Sequence, residues 1–230
     1  MKVVLFDIDG TLLLSDGAGR TAMEAALTAT FGTSGPAAYR YGGKTDRLIV
    51  RKTMRLEGFD DATIDARMPA VIERYLEGLG ALLERPTHRA RALAGVVPLL
   101  AAVEARDDLV LGLLTGNLVE GAAVKLRAVE ISPARFRVGA FGSDHEDRPM
   151  LPPIAQRRAS ALLGHDVPGD WLVIIGDTPA DIDCGRGVGA RAIAVATGGY
   201  PLDELQLHRP AAAFADLSDT ARVMEAILDA

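Results

Sequence analysis

Four short, fully apolar runs, each stopped by a polar residue, constrain this chain more than any other feature. Val3-Val4-Leu5-Phe6 ends at Asp7. Leu109-Val110-Leu111-Gly112-Leu113-Leu114 ends at Thr115. Trp171-Leu172-Val173-Ile174-Ile175 ends at Gly176-Asp177. Ala192-Ile193-Ala194-Val195 ends near Thr197-Gly198-Gly199, and Val138-Gly139-Ala140-Phe141 makes a shorter fifth run. Such runs lack the polar alternation of half-exposed strands, so they suit strands covered on both faces, as in a parallel sheet. Helical patterns lie between them. Leu118, Ala122, Leu126 and Val129 fall at helical spacing, with Asn117 placed to cap the start. The segment from Pro152 to Leu163 follows the shorter run. Another begins at Pro179, where proline suits a first helical turn. Strand and helix in alternation predict a doubly wound α/β domain with a parallel sheet.

Residues 15–94 break that alternation. Met23, Ala26, Leu27, Thr30 and Phe31 make one helical face. Leu48, Ile49, Thr53 and Leu56 make a shorter one ending at Gly58. Ile64, Met68, Val71, Ile72, Tyr75, Leu76, Leu79 and Leu83 make a long one. Eighty residues without a strand-like run exceed one crossover connection. The expected organisation is therefore an α/β core of residues 1–14 and 95–230, with an all-helical domain of residues 15–94 inserted after the first strand. A chain of 230 residues accommodates both.

Composition narrows the function. A net charge of -6 gives no electrostatic footprint for nucleic acid or an anionic membrane. The N-terminal apolar run stops too early for a signal peptide or a membrane span, so no membrane partner is expected. A single cysteine, Cys184, forms no intrachain disulfide and is compatible with a reducing cytoplasm. An acidic protein handling an anionic substrate must concentrate positive charge in particular residues.

In an open parallel sheet the site forms beyond the carboxyl ends of the strands, where strand order reverses. There the runs deliver Asp7 with Asp9, Thr115 with Gly116 and Asn117, and Asp177 with Asp181. Converging carboxylates repel one another. A divalent cation removes the repulsion, and oxygen ligands suit Mg2+. In FDIDGTLL (residues 6–13), Asp7 can attack phosphorus as a carboxylate nucleophile. Asp9 can protonate the leaving alkoxide and then deprotonate water. A mere Asp-x-Asp-Gly turn is the plainer alternative. LLTGN (113–117) places a hydroxyl and free backbone N–H groups where a phosphate would lie, though alone it is also an ordinary turn. In IIGDTPADID (174–183), Asp177 lies after the strand and Asp181 one helical turn on, fitting a ligand supported by a second carboxylate. A fixed cation must also balance phosphate and nucleophile. Arg148, in DRPMLPPI, is the first candidate, and Arg157 and Arg158 are rivals.

The set FDIDGTLL, LLTGN, a basic residue before a helix, and GDTPAD, in that order over residues 6–181, resembles the haloacid dehalogenase superfamily of phosphatases. Within it, the chain is most similar to the phosphoglycolate phosphatase-like group. The resemblance implies Asp7 as nucleophile and Asp9 as acid and base. It implies magnesium held by the Asp7 carboxylate, the Asp9 carbonyl and Asp177, and phosphoryl binding by Thr115. It also implies that the helical insertion is a cap. The family's third motif usually carries lysine; here Arg148-Pro149 stands in its place. GGKTD (42–46) falls where related caps contribute substrate contacts, making Lys44 a candidate for a substrate carboxylate or hydroxyl, or equally a solvated lysine. His88 and His145 read as surface residues and Cys184 as packing.

The expected reaction is magnesium-dependent hydrolysis of a small phosphorylated metabolite, phosphoglycolate-like or a sugar phosphate, through a phospho-aspartyl intermediate. A phosphomutase would use the same motifs with a different cap. A phosphonate hydrolase would need a cap lysine as Schiff base, with Lys44 and Lys52 available. A true dehalogenase calls for neither Asp9 nor the full metal set. A binding protein on this fold would be expected to lack the nucleophile or ligands that this chain retains.

Overall fold

The computed structural model describes all of residues 1–230. Six strands form one parallel sheet: β1 (Lys2–Phe6), β4 (Leu109–Leu114), β5 (Val138–Ala140), β6 (Leu172–Gly176), β7 (Arg191–Val195) and β8 (Ala212–Phe214). Their order is β5-β4-β1-β6-β7-β8. The chain builds outward from β1 to β4 and β5 on one side. It then returns to lay β6, β7 and β8 on the other, so order reverses beside β1. β2 (Leu13–Leu14) pairs antiparallel with β3 (Arg91–Ala92) in a separate two-stranded ribbon. That ribbon ties together the chain before and after the long helical segment.

The continuous apolar runs follow from burial on both faces. In β1, Val4 and Phe6 enter one core while Val3 and Leu5 enter the other. β6 divides likewise, with Val173 and Ile175 opposed to Leu172 and Ile174. The first core is closed by α4 (Val96–Glu104), α5 (Val119–Ala128) and α9 (Thr220–Asp229). The second is closed by α6 (Leu151–Leu163) and by Cys184 at the end of α7 (Pro179–Cys184). Each fully buried Leu or Ile contributes roughly 1.5–3 kcal/mol. The smaller α8 (Leu202–Leu207) packs its Leu205 beside Ala192 and Ala194.

α1 (Ala18–Phe31), α2 (Asp46–Leu56) and α3 (Asp61–Leu83) pack around a third core, which Leu118 before α5 also enters. Met23 and Leu27, Ile49 and Met54, and Val71, Tyr75 and Leu79 meet there. The face of α2 differs from the expected one. Ile49, Val50, Thr53 and Met54 are buried, whereas Leu56 is 62% exposed. The buried stripe is turned about a quarter-turn from the expected face, which leaves Leu56 at its edge in the last turn. No helix is long and apolar enough to cross a membrane.

Candidate active site

β1 ends at Phe6, and the Asp7 N–H donates to the Ile175 carbonyl at 2.9 Å, fixing Asp7 between β1 and β6. Gly10 makes the following turn at φ 85°, a conformation that L side chains rarely adopt. The Asp177 carboxylate lies directly against Gly10, where any β-carbon would collide with it. Thr11 donates its hydroxyl to Asp177 Oδ1 at 3.0 Å, and Asp177 Oδ2 faces no protein donor. Thr178 caps α7. Its N–H and hydroxyl both donate to Asp181 Oδ2, at 2.9 and 2.6 Å, while the Asp181 N–H returns to its hydroxyl. This reciprocal cap fixes Asp181. The arrangement holds carboxylate oxygens of Asp7, Asp177 and Asp181 within 4.8 Å of one another, with all three residues buried.

One buried cation serves this cluster. Arg148 donates to Asp181 Oδ1 and lies 3.3 Å from Asp7 Oδ1. It also donates to the Leu114 carbonyl, and its Nε is buried without a partner. Burial alone would weaken the guanidinium charge, but Asp181 and Asp7 outweigh it and hold its pKa above the ordinary range. Asp7 is pushed up to about 6, chiefly by burial, against the pull of Arg148 and the neighbouring Thr115 hydroxyl. Asp177 is pushed well above the usual carboxylate range by burial and by Asp181 and Asp7. Three buried carboxylates facing one guanidinium form a set short of positive charge, which fits a divalent cation. Both Asp181 oxygens already accept hydrogen bonds, so the donors left for an ion are on Asp7 and Asp177. The rival arginines lie elsewhere: Arg158 pairs with Asp144 at 2.7 Å and Arg157 is exposed.

Asn117 does not cap α5; Leu118 is the residue before the helix. The Asn117 side chain turns instead to the site, where Nδ2 donates to Thr115 Oγ1 at 2.8 Å and to Asp9 Oδ2 at 2.9 Å. The freed Leu118 N–H donates to Asp46 Oδ2, from the first residue of α2, at 2.9 Å. Gly116 permits this approach, since a β-carbon there would lie 2.9 Å from Thr45 Cα and closer still to the Lys44 carbonyl. The Asp46 N–H donates back to the Gly116 carbonyl at 2.8 Å. Farther out, Arg51 pairs with Glu146 at 2.8 Å, and the Thr45 hydroxyl donates to the Glu146 carbonyl at 2.5 Å. The three-helix unit thus sits directly over the strand ends.

Between them is a cavity of about 190 Å³ bordered by Asp7, Asp9, Thr115, Arg148, Lys44 and Tyr75, among others. Lys44 reaches its wall, where Nζ donates to the Arg40 carbonyl and lies 5.1 Å from the Tyr39 ring centroid. Burial and Arg40 depress its pKa. Three further polar residues border the cavity: Lys125, which no sequence motif includes, Asp46, the last residue of GGKTD, and Tyr75, expected only as part of an apolar helical face. Lys125 of α5 is buried and donates to Asp9 Oδ2 and Asn117 Oδ1, both at 2.6 Å. Asp46 is buried and pushed up to about 6 by that burial, and Tyr75 is buried beside it. Lys125 carried a signal: it is a charged residue directly before Leu126 on the apolar stripe of α5.

The family model of the haloacid dehalogenase-like hydrolases matches residues 4–186, which contain every one of these polar residues. The chain belongs to the haloacid dehalogenase-like hydrolases. No curated protein matches this hydrolase significantly in sequence. Among solved structures, a hydrolase from Pseudomonas syringae is 23% identical with a TM-score of 0.75, and the match covers 99% of both chains. CbbY from Rhodobacter sphaeroides, crystallised with phosphate, is 18% identical with a TM-score of 0.73, covering 95% of this chain and 96% of that one. A predicted phosphoglycolate phosphatase from Haemophilus somnus is 18% identical with a TM-score of 0.70, covering 97% and 98%. At these identities the likeness is one of fold.

Proposed function

We propose that this hydrolase cleaves phosphomonoesters of small metabolites by way of a phospho-aspartyl intermediate on Asp7, with magnesium as cofactor. The observation that carries the reading is the placement of one buried guanidinium, Arg148, against Asp7 at the end of β1. A nucleophilic carboxylate and a phosphate repel each other, and a fixed cation between them offsets that repulsion. Arg148 borders the cavity, which puts its fixed charge beside the space a phosphoryl group would fill.

In the first step an Asp7 carboxylate oxygen bonds to phosphorus as the ester P–O bond breaks. Asp9 gives its proton to the departing alkoxide. In the second, Asp9 takes a proton from water, whose oxygen bonds to phosphorus and releases inorganic phosphate and the Asp7 carboxylate. Thr115, Gly116 and Asn117 line the cavity where the phosphoryl oxygens would lie. Asp7, Asp177 and the Asp9 carbonyl would hold the magnesium ion, with Asp181 supporting them. When bound, the ion supplies positive charge to the phosphoryl oxygens.

Residues 15–94 act in this reading as a cap domain over the core of 1–14 and 95–230. The cavity falls below the roughly 300–1,000 Å³ of pockets for drug-sized ligands, which favours a small phosphorylated metabolite over a phosphoprotein. CbbY, of like fold, was also crystallised with a xylulose bisphosphate. Lys44 is placed to meet the rest of the substrate. Its depressed pKa also favours a second reading, a phosphonate hydrolase with Lys44 as Schiff base.

Phosphate release is to be measured over a panel of small phosphate esters, with magnesium and with chelator, beside Asp7→Asn. Release lost in the variant and in chelator is the expected result. Release that persists in Asp7→Asn overturns the assignment. Conversion of glucose 1-phosphate to the 6-phosphate would establish a mutase instead. Borohydride inactivation with a phosphono-aldehyde, abolished by Lys44→Ala, would establish the phosphonate chemistry.

A further inference from the structure

Asp9 differs from the other carboxylates of the site in being rather open, with a side chain 40% exposed. A carboxylate so placed would ordinarily sample several rotamers. Here one of its oxygens is held. Asp9 Oδ2 accepts from Lys125 Nζ at 2.6 Å and from Asn117 Nδ2 at 2.9 Å. Lys125 and Asn117 are joined in turn, since Nζ donates to Asn117 Oδ1 at 2.6 Å. Asn117 is anchored again at Thr115 Oγ1, at 2.8 Å. These bonds make a closed ring of three side chains, and Asp9 Oδ1 is left without a protein donor on the cavity wall.

Lys125 itself has little freedom. Its side chain is 4% exposed. A β-carbon at Gly19, at the start of α1, would lie 3.2 Å from Nζ and 4.0 Å from the Tyr75 hydroxyl. The ammonium is therefore enclosed by α1, α3 and α5. The carboxylates facing it come from three places: Asp9 after β1, Asp46 on α2, and Asp7 at the end of β1.

We propose that Lys125 is a positioning residue for the acid–base step: with Asn117 it ties down Asp9 Oδ2 so that Oδ1 alone meets the leaving oxygen and then the attacking water. The inference rests on the phosphatase reading and deepens it. Proton transfer requires the carboxylate within about 2.6–3.2 Å of its partner, and a displacement of 1 Å can cost about 100-fold. The Lys125 ammonium is committed to Asp9 and Asn117, so its effect on the reaction passes through those two side chains.

The test is pre-steady-state kinetics of Lys125→Met with 4-nitrophenyl phosphate and an alkyl phosphate, beside wild type and Asp7→Asn, with melting temperatures for each. Methionine keeps the stem and removes the ammonium. Nitrophenolate departs without a proton, so its burst should survive in Lys125→Met within a few-fold. Clearance of the phosphoenzyme and turnover of the alkyl ester, both dependent on Asp9, should fall about 10- to 100-fold; with the nitrophenyl ester, where only clearance slows, kcat and KM should fall together and kcat/KM should hold. If Lys125→Met does not fold, Lys125→Arg serves. It keeps the charge but presents a fork of different shape, and the same split between burst and turnover is expected. A purely structural lysine would lower burst and turnover together, and a spectator would leave both intact; either result overturns the proposal. If wild type releases no phosphate and shows no burst, the phosphatase reading fails and takes this inference with it. If wild type is active, Asp7→Asn is silent and the split is absent, only the role of Lys125 fails.

Discussion

Replacing Arg148 with methionine removes the one buried cation among Asp7, Asp177 and Asp181. Breaking a buried ion pair by deleting one partner costs about 3–5 kcal/mol, because the other charge stays buried and uncompensated. For a chain of this size 1 kcal/mol moves Tm by about 2–4 °C, so Arg148→Met should melt about 6–20 °C below wild type near neutral pH without added metal. The loss should depend on pH, with a definite sign. Asp7 has a folded pKa raised to about 6. A raised carboxyl contributes stability in its protonated form, and that contribution is lost as pH rises through the folded value. Near pH 5 much of Asp7 is protonated and needs no cation; above about pH 7 it is charged and does. Because Arg148 also pairs with Asp181, some deficit remains at pH 5, but the Tm deficit of Arg148→Met should be smaller near pH 5 and open out towards pH 8. Thermal melts across that range, in chelator, decide the matter. A deficit below about 2 °C, or one equal at both ends of the range, would refute the argument that Arg148 balances this cluster.

Asp7→Asn should abolish phosphate release without lowering Tm, because it removes one of three mutually repelling carboxylates; a large fall in Tm would count against that repulsion. Asp46→Asn should gain on wild type as pH rises. Raising a carboxyl from 3.8 to about 6 costs at most about 3 kcal/mol at 1.36 kcal/mol per pH unit, and this cost builds up as pH rises from the unfolded value through the folded one and is complete above about pH 7. Asparagine can still accept the Leu118 N–H, so a Tm gap that fails to widen between about pH 5 and 8 contradicts this account. Gly116→Ala would drive a β-carbon against Lys44 and Thr45, so the helical unit could no longer seat over the strand ends. The expected effect is a fall of at least about tenfold in kcat/KM, read from steady-state kinetics on any active substrate.

The parts of this structure that were legible in the sequence are those set by local pattern. The apolar runs at Val3, Leu109, Leu172 and Ala192 became buried strands because both sheet faces are covered, and the polar residues ending them meet at the reversal of strand order. β8 was not legible. Ala212–Phe214 is half-buried, short and poor in β-branched residues, and it is a strand only because β7 offers it an edge. The direction of Asn117 was hidden for a related reason. Its spacing suits a helix cap, but the Asp46 carboxylate takes over the helix start and leaves the amide to Asp9 and Thr115. Lys125 is one of only four lysines in the chain, yet it belongs to no recognisable motif. Nothing in the sequence around it shows that its stripe of α5 faces Asp9 across 116 residues.

The central claim is a covalent bond between Asp7 and phosphorus, and it can be seen directly. The enzyme would be mixed with an active phosphate ester and magnesium, quenched in acid within the first turnover, and reduced with borohydride, which converts an aspartyl phosphate to homoserine. Peptide mass spectrometry would then read residue 7. Homoserine at position 7 in wild type, and none without substrate, is the predicted result. Rapid phosphate release with residue 7 unmodified, or homoserine at Asp9 or Asp177 instead, would contradict it.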